Sequence, residues 1–121
     1  MPRPITVRLP ADARRTLDLV IHRTQRSVAW LLTEAIYDAG QAYAHDPTIL
    51  DEHLSAAVGP DPRRTSFHVT DAAHTVLASL AAGTNRRPAN LARAAWLHWT
   101  SVNSVEQIVA FSGAVRPDQV G

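Results

Sequence analysis

The residues of this sequence best suited to chemistry are its arginines. All twelve basic residues are arginine and none is lysine. A guanidinium group stays charged and can bind a phosphate group or a guanine edge with two parallel hydrogen bonds. Residues 1–33 carry six Arg against two Asp, a net of +4, and residues 62–101 carry five Arg against one Asp, again +4. Two such segments are typical of a surface that binds a polyanion, although a solvated surface with chance clustering would give the same charge pattern.

An acidic segment separates these two basic segments. Residues 34–61 carry six acids and no arginine, a net of −6. Two interpretations remain open for it. We favour a solvated segment that repels phosphate and so orients the basic surfaces toward a polyanion; the alternative is a docking surface for a basic partner.

Several other classes of function are not indicated. The chain has 121 residues, no cysteine and six histidines without metal-ligand spacing, so we expect neither a metal nor another cofactor. No glycine-rich phosphate loop and no nucleophile–base–acid arrangement stands out, and we do not expect an enzyme. The sequence has neither an apolar leader nor a run of roughly 18 apolar residues, which predicts a cytoplasmic protein with no membrane partner.

The polar residues must be positioned by short elements, and the first is a strand. Residues 5–10, ITVRLP, alternate strictly, with Ile5, Val7 and Leu9 on one side and Thr6 and Arg8 on the other. Helical spacing follows over 11–24. A second helix is predicted from Val28 to about residue 44, with Ser27 as its N-cap.

This opening pattern returns 60 residues later. Residues 65–69, TSFHV, alternate again, and Thr70 begins a helix whose apolar positions match those of 11–24. The turn TNR at 84–86 matches TQR at 24–26. One residue is then inserted, and Pro88 replaces the Ser27 cap of a helix running from about Ala89 to residue 101.

The remaining segments are predicted to be short. An acidic helix lies within 46–58, with Thr48 as N-cap and Asp51 completing a capping box. Ser104 and Gln107 predict a last helix over 105–112, followed by a loose tail.

The three tryptophans, Trp30, Trp96 and Trp99, are expected in the core or in an interface. Alternatively, Trp99 is exposed and contacts a partner. The chain divides into a first repeat at 1–45, an acidic linker with a short helix at 46–63, a second repeat at 64–102 and a C-terminal helix and tail at 103–121.

Pairing explains the isolated strands. Neither strand–helix–helix repeat has enough apolar area to fold alone, so we expect the strands to pair antiparallel over four helices. The inner residues Val7, Leu9, Phe67 and Val69 enter the core. The outer ones form an exposed face, and a two-stranded ribbon fits the major groove of B-DNA. The predicted readers of base edges are Thr6, Arg8, Ser66 and His68.

The start of the second helix in each repeat is a predicted binding site for DNA phosphate. Unpaired backbone N–H groups and the positive end of the helix dipole favour phosphate there. Arg26, Arg86 and Arg87 lie beside these helix starts and could clamp the DNA backbone on either side of the groove.

These features resemble the ribbon-helix-helix (MetJ/Arc) family of DNA-binding proteins. The resemblance rests on ITVRLP at 5–10, LDLV at 17–20 and RSV at 26–28, and it covers residues 4–44 well and 64–101 more weakly. It implies base reading by residues at three alternate positions of each strand, and phosphate binding at the helix starts. The base-reading positions are Pro4, Thr6 and Arg8, and Arg64, Ser66 and His68. The phosphate-binding positions are Ser27 and Val28 in the first repeat, and Pro88 and Ala89 in the second, where proline removes one N–H donor.

The predicted fold is therefore mostly α with a short β-ribbon, a tandem ribbon-helix-helix arrangement. The ribbon could form within one chain, as a pseudo-dimer, or between two chains of a homodimer. The primary hypothesis is a sequence-specific repressor of transcription that binds double-stranded DNA, with regulation of its own operon as one form of this role. The alternatives are an accessory protein of plasmid transfer or partition, and an antitoxin-type scaffold that binds a toxin through 103–121.

Overall fold

Two strands and six helices make up most of the described chain. The computed structural model describes residues 3–56, 58–59 and 62–113. The elements are β1 (Arg3–Leu9), α1 (Ala11–Thr24), α2 (Val28–His45), α3 (Asp51–Ser55), β2 (Arg63–Val69), α4 (Asp71–Thr84), α5 (Pro88–Val102) and α6 (Val105–Gly113). The order strand–helix–helix thus occurs twice. We call β1–α1–α2 the first unit and β2–α4–α5 the second unit.

A constant offset of 60 residues relates the two units. β2, α4 and α5 begin 60 residues after β1, α1 and α2. The turns agree as well, since Gln25 and Asn85 both adopt a left-handed conformation, with φ of 58° and 57°. The predicted insertion after residue 86 is wrong, because Arg87 is the N-cap of α5 as Ser27 is of α2. Pro88 occupies the first helical position, which does not need a backbone N–H.

The two strands pair antiparallel with each other. The register runs from Arg3 opposite Val69 to Leu9 opposite Arg63. The four inner residues of the prediction are buried, as expected. The ribbon therefore forms within one chain, with one side in the core and one side in solvent.

The helices of the two units share one core. α2 packs against α5, α5 also packs under β1, and α2 packs under β2. The fully buried side chains come from both units; they include Leu17, Leu31, Leu32, Ile36, Leu77, Leu80, Leu91 and Trp96. Trp96 Nε1 donates to the carbonyl oxygen of Ala13 at 3.2 Å, which ties α5 to α1. The alternative of an exposed Trp99 is wrong, because only 6% of this residue is exposed.

The acidic linker at 46–63 has a shorter helix than expected, and more of its side chains are buried. α3 spans only Asp51–Ser55, and Thr48 does not cap it. Instead the carboxylate of Asp46 accepts hydrogen bonds from Thr48 N at 3.0 Å and Thr48 Oγ1 at 2.7 Å, and these bonds lower the pKa of Asp46. Leu50 and Leu54 are buried as α3 packs against α5. Since their apolar side chains belong to the core, this segment is fixed to the second unit.

The C-terminal helix α6 packs against α1 of the first unit. The predicted N-cap Ser104 is confirmed, and with Gln107 it forms a capping box: Ser104 Oγ accepts from Gln107 N at 3.2 Å, and Gln107 Oε1 accepts from Ser104 N at 2.7 Å. Ile108 is fully buried. The segment 103–121, which one alternative hypothesis assigns to toxin binding, thus contains a helix that packs in the fold. The predicted loose tail was 113–121; Gly113 is the last residue of α6, and residues 114–121 lie outside the described residues. None of the helices described is long and apolar enough to cross a membrane.

Candidate nucleic-acid interface

The solvent side of the ribbon brings all six predicted base-reading residues onto one surface. Alternation in each strand places them opposite the buried residues, and each one is exposed. The register sets them in three facing pairs: Pro4 with His68, Thr6 with Ser66, and Arg8 with Arg64. The sequence predicted the residues, and the structure adds which of them are neighbours.

The central pair is small and hydrogen-bonded. Thr6 Oγ1 and Ser66 Oγ lie 2.8 Å apart at an exposed position. A hydroxyl group donates once and can accept twice, so this pair keeps hydrogen-bonding capacity for a further partner. Small side chains at the middle of the ribbon also allow its backbone to approach another surface closely.

The pair of Arg8 and Arg64 places two like charges directly opposite each other. Such a pairing destabilises a ribbon. Neither guanidinium has a hydrogen bond or an ion pair with another residue in the described part of the chain. Two adjacent exposed arginines without internal partners form a surface that favours an anion or a guanine edge.

A contact on the buried side fixes this part of the ribbon. Thr65, on the inner side of β2, is only 3% exposed. Arg14 of α1 donates from Nη1 to Thr65 Oγ1 at 2.6 Å, and its Nε lies 3.0 Å from Asp18 Oδ1. The start of β2 is therefore held against the first turn of α1. Sequence analysis gave no role to Arg14.

The two helix starts differ as predicted phosphate sites. Ser27 is the expected N-cap, and its Oγ accepts from Trp30 N at 3.0 Å. At the start of α5, Arg87 makes no capping bond with its side chain and Pro88 has no N–H. Val28 is partly buried, whereas Arg86, Arg87 and Pro88 are exposed. The start of α2 therefore offers more backbone donors, and the start of α5 offers more exposed positive charge.

The side chain of Arg26 makes hydrogen bonds and a cation–π contact within the molecule. Its Nε and Nη2 donate to the carbonyl oxygen of Ser112 in α6, at 3.2 and 2.9 Å. The guanidinium carbon lies 4.8 Å from the ring centroid of Trp30, a cation–π distance. A phosphate at Arg26 would compete with these contacts, so its predicted phosphate role is less direct than those of Arg86 and Arg87.

Sequence analysis gave a site role to only one of the arginines around the start of β2. Arg14 and Arg15 of α1 and Arg63 and Arg64 of β2 line one cavity of about 400 Å³, together with Ala11 and Asp18. The available signal was the occurrence of two Arg-Arg pairs, each close to a strand end. Only Arg64 was assigned, because only that residue lies on the predicted reading face.

A second polar cluster lies between α3 and α5, away from the ribbon. The rings of His53 and His98 are 5.8 Å apart, and burial lowers the pKa of His53. His98 Nε2 lies 4.0 Å from Asp38 Oδ2. Within the ranges that the structure describes, no group of three or more His, Asp or Glu residues could hold a metal ion.

Comparisons with protein-family models, curated proteins and solved structures found no match to this chain. The site is therefore interpreted from its own residues. A two-stranded ribbon that is polar outside and packed on the core inside can enter a groove and present hydrogen-bonding groups to its floor.

Proposed function

We propose that this chain is a tandem ribbon-helix-helix protein that binds double-stranded DNA sequence-specifically and represses transcription. In this proposal the ribbon enters the major groove, which is about 12 Å wide and accepts a two-stranded ribbon. The two units act as the two halves of an intrachain pseudo-dimer. The observation that carries the proposal is the exposed face of three facing pairs, with Arg8 beside Arg64.

The division of labour follows from side-chain chemistry. Arginines can bond guanine O6 and N7 with both arms of the guanidinium, while hydroxyl and imidazole groups can donate to or accept from base edges. Arg86 and Arg87, and the start of α2 at Ser27, would contact phosphates and position the ribbon. Because the two strands carry different side chains, the DNA site should be asymmetric rather than palindromic.

The proposal is tested by selection and by binding. The purified full chain would be used to select duplexes from a randomised DNA library, and its affinity for the selected duplex would be measured by fluorescence anisotropy over a salt series. We expect an enriched sequence and an affinity that falls steeply with salt. Absence of enrichment, or equal binding to selected and random duplexes, contradicts the proposal.

A pair of arginine variants makes this test specific. Arg8→Ala should lower the preference for the selected duplex about tenfold or more, since a bidentate contact discriminates by roughly 1–3 kcal/mol. Arg23→Ala removes the same charge from α1, where Nη1 of Arg23 lies 3.4 Å from Glu106 of α6. This control should leave the preference unchanged. If both variants behave alike, the ribbon is not the reading surface.

Repression is tested separately from binding. The selected sequence placed within a promoter should lower reporter output when the chain is expressed, and Arg8→Ala should restore it. Binding and bending of DNA without any change in promoter output would favour the accessory role in plasmid transfer or partition.

A further inference from the structure

The two ends of the ribbon carry different charges on the same backbone. We call the end where β1 finishes and β2 begins the arginine end, and the opposite end the histidine end. Five arginines surround the arginine end: Arg8, Arg14, Arg15, Arg63 and Arg64. The residues 60 positions away from these, at the histidine end, are His68, His74, Thr75, Arg3 and Pro4.

Acidic residues do not cancel this difference. Counted along the sequence, residues 8–18 and 61–64 carry five Arg against Asp12, Asp18 and Asp61, a net of +2, whereas the corresponding residues 68–78 and 1–4 carry Arg3 against Asp71, a net of zero with histidine neutral. Two ion pairs at the arginine end lie within α1: Arg14 with Asp18 and Arg15 with Asp12. Positive charge therefore exceeds negative charge at the arginine end and only balances it at the histidine end.

The arginine end also contains a formed cavity. Four of its arginines line the cavity of about 400 Å³ between the start of β2 and the start of α1. Arg14 is held in place by its bonds to the buried Thr65 and to Asp18, while Arg15 keeps 73% of its side chain exposed. A site with one fixed and several exposed guanidinium groups suits a phosphate oxygen, which accepts several charge-assisted hydrogen bonds.

We infer that the arginine end is a binding site for backbone phosphate of DNA, which docks the chain on its site in one direction only. This inference rests on the proposed function. The ribbon enters the groove and the arginine end holds phosphate on one flank, while the corresponding positions at the histidine end carry a single arginine in the sequence. Phosphate contacts fix the register and orientation of a protein on a duplex, so a one-sided contact produces a directional complex.

The phosphate site is tested by ethylation interference on the selected duplex. We expect phosphates on one flank whose ethylation blocks binding, with no matching set on the other flank. The variant Arg15→Gln/Arg63→Gln should abolish this flank signal and lower the salt slope of the affinity by about 2, since each lost contact removes about 0.9. Both residues are exposed, so the fold is expected to persist, which circular dichroism would check.

A matched variant removes two charges elsewhere. Arg86→Gln/Arg87→Gln should weaken binding but keep the flank signal that depends on the arginine end. If Arg15→Gln/Arg63→Gln leaves the flank signal and the salt slope unchanged, the phosphate site is refuted.

Direction is measured with a single cleaving group. The chain has no cysteine, so Ala72→Cys, at an exposed position beside the histidine end, gives a unique thiol for an iron chelate. Cleavage on one side only of the selected sequence supports a single orientation. Equal cleavage on both sides overturns the directional inference while leaving the proposed function intact, whereas failure to select any duplex refutes the proposed function itself.

Discussion

The two strand–helix–helix units show which positions determine the backbone and which determine the surface. At the buried positions the offset of 60 preserves apolar character, as in Leu17 and Leu77 or Leu31 and Leu91. Local hydrogen bonds repeat as well: Thr24 and Thr84 each donate to the carbonyl four residues earlier, at 2.7 Å. The core and turn positions thus give the two units the same backbone structure.

The exposed positions of the ribbon do not follow this rule. Arg8 corresponds to His68, and Pro4 corresponds to Arg64. Because antiparallel pairing sets Arg8 opposite Arg64, the two arginines meet at one end and leave the other end without either. A chain that holds both strands can therefore carry different chemistry at its two ends, whereas a symmetric dimer of identical strands repeats the same chemistry at both ends.

The largest expected effect is on stability, and it tests whether equivalent core residues of the two units belong to one folding unit. Leu17→Ala and Leu77→Ala should each lower the free energy of unfolding by about 2–5 kcal/mol, because both side chains are fully buried. Urea unfolding followed by circular dichroism and tryptophan fluorescence should show one transition in each case. Leu19→Ala, at a residue 46% exposed, is the control and should change stability by less than about 0.5 kcal/mol. Two separate transitions would mean that the units fold independently.

The next largest effect is on DNA affinity, and it compares the contributions of the two ends of the ribbon. Arg64 and His68 lie on the same strand, at the arginine end and the histidine end. Arg64→Ala should lower affinity for the selected duplex about tenfold or more, since it removes a charged bidentate donor. His68→Ala should cost less, and anisotropy at fixed salt would measure both. Equal losses would contradict the assignment of stronger recognition to the arginine end.

A third prediction concerns the contact that anchors only the arginine end. Arg14→Met removes the donor to the buried Thr65 hydroxyl and should cost about 1–3 kcal/mol of stability, the usual penalty for an unsatisfied buried polar group. Arg14→Met/Thr65→Val should recover most of this loss in urea unfolding, because no polar group is then left without a partner. At the corresponding positions, 60 residues away, His74 and Ile5 cannot form such a pair, because the side chain of Ile5 has no polar atom. An additive double variant would show that the contact itself contributes little.

The sequence was sufficient for features that depend on neighbouring residues. Alternation identified both strands and their inner faces, and Ser27, Thr70 and Ser104 were recognised as helix caps from their own side chains. The misplaced insertion had a local cause too. Arg87 lacks a capping side chain, so the proline next to it was taken for the cap.

Contacts between distant segments could not be obtained in this way. Arg26 reaches Ser112 across 86 residues, and Arg14 reaches Thr65 across 51. No local pattern specifies which arginine is internally bound and which is exposed. The packing of α3 against α5 likewise depends on where Leu50 and Leu54 meet the core, which the acidic composition of the segment concealed.

The smallest expected effect tests whether the two helix starts are equivalent apart from their side chains. Ser27→Ala should cost about 1 kcal/mol, the typical loss when an N-cap is removed. Arg87→Ser should stabilise the chain by about 0.5 kcal/mol, because the new hydroxyl can accept from the backbone N–H of Asn90 as Ser27 does from Trp30. Thermal unfolding of the two variants beside wild type would measure both shifts. If Arg87→Ser gives no gain, the start of α5 differs from that of α2 in backbone geometry as well as in side chain. The two helices would then begin 60 residues apart without sharing the same backbone conformation at their starts.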